Sequence, residues 1–247
     1  MVVLRACSDL AQGFLGALLP VQCAGCRAWD QALCPSCRSL ADREPLPMSL
    51  EGRRGVVPGV VLGDYSDPLR RIVLSAKHSP RADVTDFLDR AGVRLGASLC
   101  AVLGLEPSSG EEARAGRSSA FSASESQVWV VPAPSSWKRR MRGRQVAMPL
   151  ARAVARGLAS HGREGVRVRV VDAVRLRVGA TSQSGKAGPQ RMVGRMGAMR
   201  ALVTPRGNVR VIAVDDVVTT GATIREMERV LGGLDGVAAL CRPGLTS

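Results

Sequence analysis

The sequence predicts an α/β fold in which a small N-terminal four-cysteine knuckle and a helical segment precede a doubly wound parallel sheet. Short β-branched runs alternate with helical patterns over residues 128–247, which is typical of parallel strands joined by helices. One of these runs, residues 211–214, continues through two carboxylates into a threonine-rich loop and a further helical pattern. Two Cys-x2-Cys pairs stand close together before residue 40, and they predict a separate metal-binding unit.

The cysteines Cys23, Cys26, Cys34 and Cys37 predict a structural zinc site. Each Cys-x2-Cys pair makes a tight turn that directs two thiolates at one point, and two pairs complete a tetrahedral Zn2+ site. The alternative is a pair of disulfides or of redox-active dithiols. Zinc is favoured because disulfides are rare in the cytosol and no βαβ pattern surrounds either pair.

Composition and charge limit the classes of function. The 247 residues, 45% of them hydrophobic, suffice for one medium domain and a smaller unit. The net charge of +14 permits a polyanionic partner such as single-stranded DNA. However, only three of the 35 basic residues are lysines, a bias that a GC-rich genome produces without selection for DNA binding. Aromatic residues make up 3%, so few side chains can stack on bases.

The N-terminal region does not predict a membrane anchor. No apolar run reaches the roughly 18 residues that a membrane helix needs. Residues 10–21 imitate a signal peptide, but Asp9 precedes them, Gln12 interrupts them and no small-residue cleavage site follows. We therefore expect an amphipathic helix here, no membrane insertion and a cytoplasmic protein.

The segment after the cysteines predicts a strand and two helices. Residues 39–62 are rich in Pro, Gly and Arg, and we expect a connector that ends in a strand over residues 55–62. A capping residue such as Ser66 begins a helix whose last turn holds Lys77, where a cation suits the helix dipole. By periodicity alone, the next residue, His78, is a solvated C-terminal residue of the helix. A second helix over residues 84–105 carries an apolar stripe.

Residues 128–131 open the next unit as a strand, which leads into a loop with Ser135 and Ser136 and then into basic residues beginning with Lys138. Backbone N–H groups and basic side chains suit a pyrophosphate, and a solvated basic turn is the alternative in so Arg-rich a chain. A helix is expected over residues 145–160.

A further strand over residues 166–174 precedes a polar, Gly-rich segment, residues 180–199. A long loop inside a compact α/β unit is more often a lid over a site than a passive connector. Arg191 and Arg195 in this segment could stabilise the charge of a leaving pyrophosphate, the alternative being ordinary loop arginines. A final strand is expected over residues 237–240.

The segment 211–223 predicts a site for a ribose 5-phosphate. Asp215 and Asp216 follow a strand that we expect to be buried on both faces, and they are placed where the strand reaches the surface. Hydroxyl side chains around one Gly then open into a helix over residues 224–231, and the free N–H groups of a helix start suit a phosphate. The carboxylates would accept hydrogen bonds from sugar hydroxyls. The alternative is a capped helix whose acidic pair is merely solvated.

These patterns divide the chain into four parts. Residues 106–127 have scarcely any core-forming side chain, which predicts a disordered insertion or linker. The parts are an N-terminal helix and zinc knuckle at 1–45, a strand and helical segment that packs on the core at 46–105, the insertion at 106–127 and the main α/β domain at 128–247.

All thirteen positions of residues 211–223 fit the phosphoribosyl pyrophosphate (PRPP) motif of type I phosphoribosyltransferases, which this segment resembles. With the cysteine knuckle in front, the chain is similar to the ComF family, zinc-finger-bearing phosphoribosyltransferase-like proteins linked to DNA uptake in competent bacteria. The resemblance covers nearly the whole chain except residues 106–127. It rests on residues 18–20 with the cysteines that follow, 65–77, 131–134 with their basic tail, 183–195 and 211–223.

The resemblance implies a type I phosphoribosyltransferase-like fold, structural Zn2+ in the knuckle, and PRPP with Mg2+ as ligand. The acidic pair would hold the ribose hydroxyls, the threonine-rich loop the 5-phosphate, and the loop after the strand at 128–131 the pyrophosphate. The implied catalytic residues are Asp215, Asp216, Arg191 and Lys77, and the implied PRPP-binding residues are Asp215, Asp216, Thr219, Thr220, Gly221, Ala222, Thr223, Ser135, Ser136 and Lys138.

Three functions are compatible with these patterns. The first is an enzyme that transfers the phosphoribosyl group of PRPP to a nitrogen nucleophile, a reaction that needs orientation and charge stabilisation rather than a covalent intermediate. The second is a non-catalytic module in DNA uptake that uses the knuckle and the Arg-rich surface to bind single-stranded DNA or a DNA-uptake protein. The third is a regulator that senses PRPP. The sequence favours a PRPP-binding, transferase-like protein, and it shows no base-selecting pocket.

Overall fold

The computed structural model describes residues 21–78, 81–107, 127–135, 141, 145–177 and 197–244. The helices in these ranges are α1 (Pro35–Arg38), a 3-10 helix (Ser39–Asp42), α2 (Leu69–His78), α3 (Ala82–Val102), α4 (Ala147–His161) and α5 (Ala222–Leu231). The strands are β1 (Leu46–Gly52), β2 (Gly55–Asp64), β3 (Gln127–Pro132), β4 (Arg167–Val170), β5 (Val174–Leu176), β6 (Met199–Ala201), β7 (Val209–Val217) and β8 (Gly236–Arg242).

Six strands form one sheet in the order β1-β2-β8-β7-β3-β4. β1 pairs with β2 in antiparallel fashion, and every other neighbouring pair is parallel. β5 and β6 form a separate antiparallel pair. The fold is therefore mixed α/β with a mostly parallel sheet, which confirms the prediction at that level. Because the five parallel strands run in one direction, the loops that follow them collect at one edge of the sheet, here called the carboxyl edge.

The sheet is covered on both faces. Successive side chains of a strand point to opposite faces, so β7 sends Ile212 and Val214 to one apolar core and Val211 and Ala213 to another. The first core is completed by α2, α3 and α4, and the second by α5 and the β5–β6 pair. We call these sides the α2 face and the α5 face. Burial on both sides accounts for the continuous apolar runs in β7 and β8.

Glycines bring α3 and α4 into backbone contact on the α2 face. A Cβ atom placed on Gly96 would lie 2.2 Å from the carbonyl oxygen of Val154, and one placed on Gly157 would lie 2.2 Å from that of Val93. Both distances are far below van der Waals contact, so only glycine fits at these two positions. The helices consequently cross more closely than any pair with larger residues could.

The connector predicted for residues 39–62 was wrong over β1. Met48 is the only residue of this strand that is buried, so the strand lacks the apolar alternation by which strands are recognised. β1 also contains Pro47, which is tolerated because the strand lies at the edge of the sheet. Pairing with β2, rather than a local pattern, makes this segment a strand.

Two further strand predictions need correction. Asp215 and Asp216 lie within β7, whereas the sequence placed them after the end of a strand at residue 214. The strand predicted over residues 166–174 divides into β4 and β5, because the chain turns between them and the N–H of Ala173 donates to the carbonyl of Val171. The helices predicted over residues 84–105 and 145–160 are present as α3 and α4 with ends shifted by one to three residues.

Several predictions fall on residues that lie outside the described ranges. They are the helix at 10–21 apart from its last residue, most of the insertion at 106–127, the basic loop from Ser136 through Lys138 to residue 140, and the segment 180–199 with Arg191 and Arg195 apart from its last three residues. Among the helices that are described, none has the length and apolar character needed to cross a bilayer.

Candidate functional site

The four cysteines lie on two turns that face each other. Cys23 and Cys26 belong to a turn in which the N–H of Arg27 donates to the carbonyl of Cys23 at 3.0 Å. Cys34 directly precedes α1, and Cys37 lies inside this helix. The first pair thus lies on the tight turn that the sequence predicts, whereas the second pair lies at the start of α1.

The sulfur atoms have the spacing of a metal site. All four Sγ atoms lie within 4.8 Å of one another, and those of Cys26 and Cys34 are 3.6 Å apart. Tetrahedral Zn–S bonds of about 2.3 Å place neighbouring sulfurs about 3.8 Å apart. No disulfide joins these cysteines. The cluster is therefore compatible with a four-coordinate structural metal such as Zn2+, and with four protein ligands it leaves no open position for catalysis.

Hydrogen bonds from the backbone stabilise the thiolate form of Cys23. Burial raises the pKa of Cys23, but hydrogen bonds from the backbone N–H groups of Cys34, Cys26 and Gly25 outweigh burial and lower that pKa to about 6. Burial and the neighbouring sulfurs raise the pKa of Cys37 instead. Gly25 has a second role, because a Cβ atom at this position would lie 2.6 Å from the Sγ of Cys37.

The cysteine cluster is built into the main core. Cys23 and Cys37 are buried in the same apolar cluster as Ile72 of α2. The guanidinium of Arg71 on α2 donates to the carbonyl of Gly25 at 3.4 Å. The knuckle therefore packs directly against the helix that carries Lys77.

The second candidate site lies where the chain reverses its direction of winding. From β3 the chain passes through α4, on the α2 face, to β4, and from β7 it passes through α5, on the opposite face, to β8. β3 and β7 are neighbours, so their connections diverge and leave a crevice at the carboxyl edge, the usual ligand position in such sheets. The N–H of Ala133 donates to the carbonyl of Val214 at 2.7 Å, which holds the loop containing Ser135 beside the acidic pair.

Asp215 and Asp216 point to opposite faces of the sheet. Asp216 lies on the α2 face, where its Oδ2 is 2.6 Å from Nζ of Lys77 and the two side chains are 17% and 22% exposed. Asp215 lies opposite Ala239 in the register, on the α5 face, and is buried. Its Oδ1 accepts the backbone N–H of Asp216 at 2.8 Å. Only Asp216 therefore combines a charge partner with access to solvent.

Burial changes the ionisation of Asp215. Removal from water and the negative charge of Asp216 raise its pKa to about 8, although the N–H of Asp216 and the charge of Lys77 act in the opposite direction. The carboxyl group of Asp215 is thus largely protonated at pH 7. The physical cause is the strand itself, which carries both acidic residues inside the sheet.

The threonine-rich loop joins β7 to α5. Thr219 and Thr220 are exposed, and the hydroxyl of Thr220 accepts the N–H of Ala222 at 3.4 Å. Gly221 has a φ of +70°, a left-handed conformation that lets the loop turn into α5. The guanidinium of Arg225 donates to the carbonyl of Thr220. Together with Thr223 in the first turn, the loop offers hydroxyls, the positive end of a helix and a guanidinium to an anion.

The structure thus pairs Lys77 with Asp216 and places Asp215, Ser135 and the loop of residues 219–223 at the same carboxyl edge of the sheet. Ser136, Lys138 and Arg191, the remaining predicted site residues, lie outside the described ranges. Sequence reasoning missed Asp64 and Arg242, at the carboxyl ends of β2 and β8, and also Arg225. The overlooked signal for the first two was a charged residue at the end of a buried strand, the same signal that singled out the acidic pair.

Comparison of the sequence with models of known protein families found no match, and comparison with curated proteins found none either. The residues and their geometry therefore carry the functional proposal.

Proposed function

We propose that this protein is a ComF-type phosphoribosyltransferase-like protein that binds PRPP and transfers its phosphoribosyl group. The observation that supports it best is the position of residues 215–223. A carboxylate paired with a lysine, a loop with threonine hydroxyls and the start of α5 lie together in the crevice beside β3. The loop and the helix start suit the phosphate of a ribose 5-phosphate, and the carboxylate suits the diol at the other end of the sugar.

Each part of the site has a distinct task in this proposal. The loop of residues 219–223 binds the 5-phosphate with the positive end of α5 and Arg225. Asp216 accepts hydrogen bonds from the ribose hydroxyls, and Lys77 balances the negative charge of Asp216. Asp215 holds the backbone of Asp216 in place through their hydrogen bond. The pyrophosphate lies at the loop that begins at Ala133.

The proposed transfer needs little covalent chemistry from the protein. Fixing the anomeric carbon between the leaving pyrophosphate and an incoming nitrogen supplies proximity, and donors around the pyrophosphate stabilise the charge that develops there. Mg2+ would arrive with PRPP and be held largely by phosphate oxygens and water, to which Asp216 adds a carboxylate oxygen of the kind this ion prefers. When bound, the ion neutralises charge on the leaving group.

Calorimetric titration of the zinc-loaded protein with PRPP and Mg2+ tests the proposal. We expect a dissociation constant in the micromolar range. Asp216→Asn should weaken binding about tenfold or more, because hydrogen bonds to a charged group are worth about 1.5–3 kcal/mol. The double variant Asp215→Asn/Asp216→Asn should not bind measurably. Absence of heat with the wild-type protein would contradict the proposal.

A matched control separates the site from general effects of charge. Asp86 on α3 is exposed and lies outside the site, so Asp86→Asn should bind PRPP as the wild type does. Release of pyrophosphate in the presence of candidate acceptors then distinguishes transfer from binding alone.

A second candidate function rests on the knuckle. Trp29 is 57% exposed, and the exposed Arg27 precedes it by two residues. An exposed aromatic ring can stack on a base, and a nearby arginine can bind the phosphate backbone of single-stranded nucleic acid. Binding of a fluorescent single-stranded oligonucleotide that falls steeply with salt, disappears in Trp29→Ala and occurs without PRPP turnover would favour this function.

A further inference from the structure

We infer that the acceptor of the phosphoribosyl group is a nitrogen nucleophile that carries a carboxylate, and that Arg242 binds this carboxylate. The inference deepens the proposed function and rests on it. It starts from an arginine at the carboxyl end of β8 that is close to the acidic pair and lacks a full set of partners.

The sheet register fixes the distance between Arg242 and Asp216. Asp215 lies opposite Ala239, and Val217 lies opposite Cys241, so Asp216 faces Leu240. Arg242 is two residues further along the neighbouring strand, which places its Cα about 8 Å from that of Asp216. By strand alternation, both side chains lie on the α2 face, where Lys77 reaches Asp216. An arginine side chain spans this distance.

One donor of Arg242, its Nε–H, has no acceptor among the described residues. Among the described residues, its Nε is the only buried side-chain nitrogen or oxygen without a hydrogen-bond partner. Its ion-pair partner is Asp64, whose Oδ1 is 3.9 Å from that Nε, too far for a hydrogen bond. The side chain of Arg242 is 28% exposed and that of Asp64 is 50% exposed. A ligand carboxylate that displaces Asp64 can accept from Nε and a terminal nitrogen together, the bidentate geometry that arginine favours.

The direction of attack places the acceptor on the Arg242 side of β7. β3 and β8 flank β7 on opposite sides, and the proposed pyrophosphate loop follows β3. The lone pair of the acceptor nitrogen forms the bond to the anomeric carbon from the side opposite the leaving group. The carbon–oxygen bond to pyrophosphate breaks, its electron pair leaves with the pyrophosphate, and the N–H proton passes to water. The incoming nitrogen therefore approaches from the β8 side, within reach of Arg242.

The test measures pyrophosphate release from PRPP with two sets of acceptors. Orotate, nicotinate, quinolinate and anthranilate carry a carboxylate, whereas adenine, hypoxanthine and uracil do not. We expect release with at least one member of the first set and with none of the second. Arg242→Gln should raise the KM for that acceptor about tenfold or more and leave the PRPP dissociation constant unchanged.

Two further variants make the test specific. Asp64→Asn removes the competing carboxylate and should lower the KM for the acceptor by about twofold to fivefold. Arg90→Gln removes a guanidinium that pairs with Asp42 away from the carboxyl edge and should change neither constant. Opposite shifts in Asp64→Asn and Arg242→Gln cannot arise from partial unfolding.

Three outcomes would overturn the inference. They are turnover of the uncharged bases with an unchanged KM in Arg242→Gln, weaker PRPP binding in Arg242→Gln, and no turnover of any carboxylate acceptor by a protein that binds PRPP. The second would assign Arg242 to PRPP itself. Failure of the wild-type protein to bind PRPP is the separate result that removes the proposed function.

Discussion

Asp215 and Asp216 are the same residue type side by side, yet their environments differ because a strand sends them to opposite faces. The sequence was sufficient to find the pair and the loop after it. It could not show that Asp215 is buried or that Lys77 pairs with Asp216, because these facts depend on how β7 and α2 pack. The sequence pattern placed Lys77 only as a cation at a helix end, and the resemblance gave it further weight.

The raised pKa of Asp215 predicts a pH-dependent gain in stability for Asp215→Asn. Its pKa is about 8 in the folded protein and about 4 when unfolded, so between these values the folded state holds a proton that the unfolded state releases. The contribution of Asp215 to wild-type stability therefore falls as pH rises through this window. Asn does not titrate, so the variant should gain on the order of 3 kcal/mol relative to wild type between pH 5 and pH 8.

Urea unfolding of both zinc-loaded proteins at pH 5, 7 and 9 measures this difference. The titrating groups that do not interact with Asp215 are shared by the two proteins and cancel in the comparison. A difference in free energy of unfolding that stays constant across the three pH values would show that the pKa of Asp215 is not raised.

At the scale of elements, apolar pattern decided which segments the sequence could predict. α3 and α4 have long apolar stripes and were found with small errors at their ends. β1 was missed because it buries only Met48, and β7 was made too short because acidic residues continue a strand that apolar residues begin. The sequence also did not predict the close crossing of α3 and α4. Glycine is unfavourable in an isolated helix, and it is needed here only because the backbone of the partner helix lies so close.

That crossing predicts that Gly96→Ala destabilises the protein. Alanine improves helix propensity by about 1 kcal/mol, but its Cβ would meet the backbone of Val154. We expect a net loss of about 1–3 kcal/mol from overpacking, measured by urea unfolding. Asp86→Ala, an exposed change on the same helix, should be neutral or slightly stabilising. Equal stability of Gly96→Ala and wild type would mean that the helices separate at no cost.

At the scale of the whole molecule, alternation of strands and helices predicted a parallel sheet, but not the order of its strands. The order β2-β8-β7-β3 depends on the face of the sheet that each connecting helix crosses. This order creates the crevice between β3 and β7. The convergence of the four cysteines followed from their spacing and is confirmed. That Cys23 and Cys37 join the same core as α2 depends on tertiary packing, which spacing does not encode.

This shared core predicts that removal of the metal affects the whole fold. Dialysis against a chelator should lower the melting temperature by about 10 °C or more, because structural zinc contributes directly to folding free energy. Cys37→Ser should have a similar effect. Ser36→Ala, an exposed change between two ligands, should melt as the wild type does. Scanning calorimetry measures each protein, and addition of zinc should restore the chelated one. An unchanged melting temperature after chelation would contradict a structural role.

The helix α2 is also a lever arm. It begins near the knuckle, where Pro68 lies against Gly25, and ends at Lys77 in the acidic site. Ten residues of α-helix span about 15 Å, so a tilt of about 5° at the knuckle end moves the far end by about 1.3 Å. Without a compensating change in the lysine side chain, that displacement would stretch the 2.6 Å contact between Lys77 and Asp216 beyond hydrogen-bonding distance. The packing of the cysteine knuckle against α2 thus helps to set the position from which Lys77 reaches Asp216.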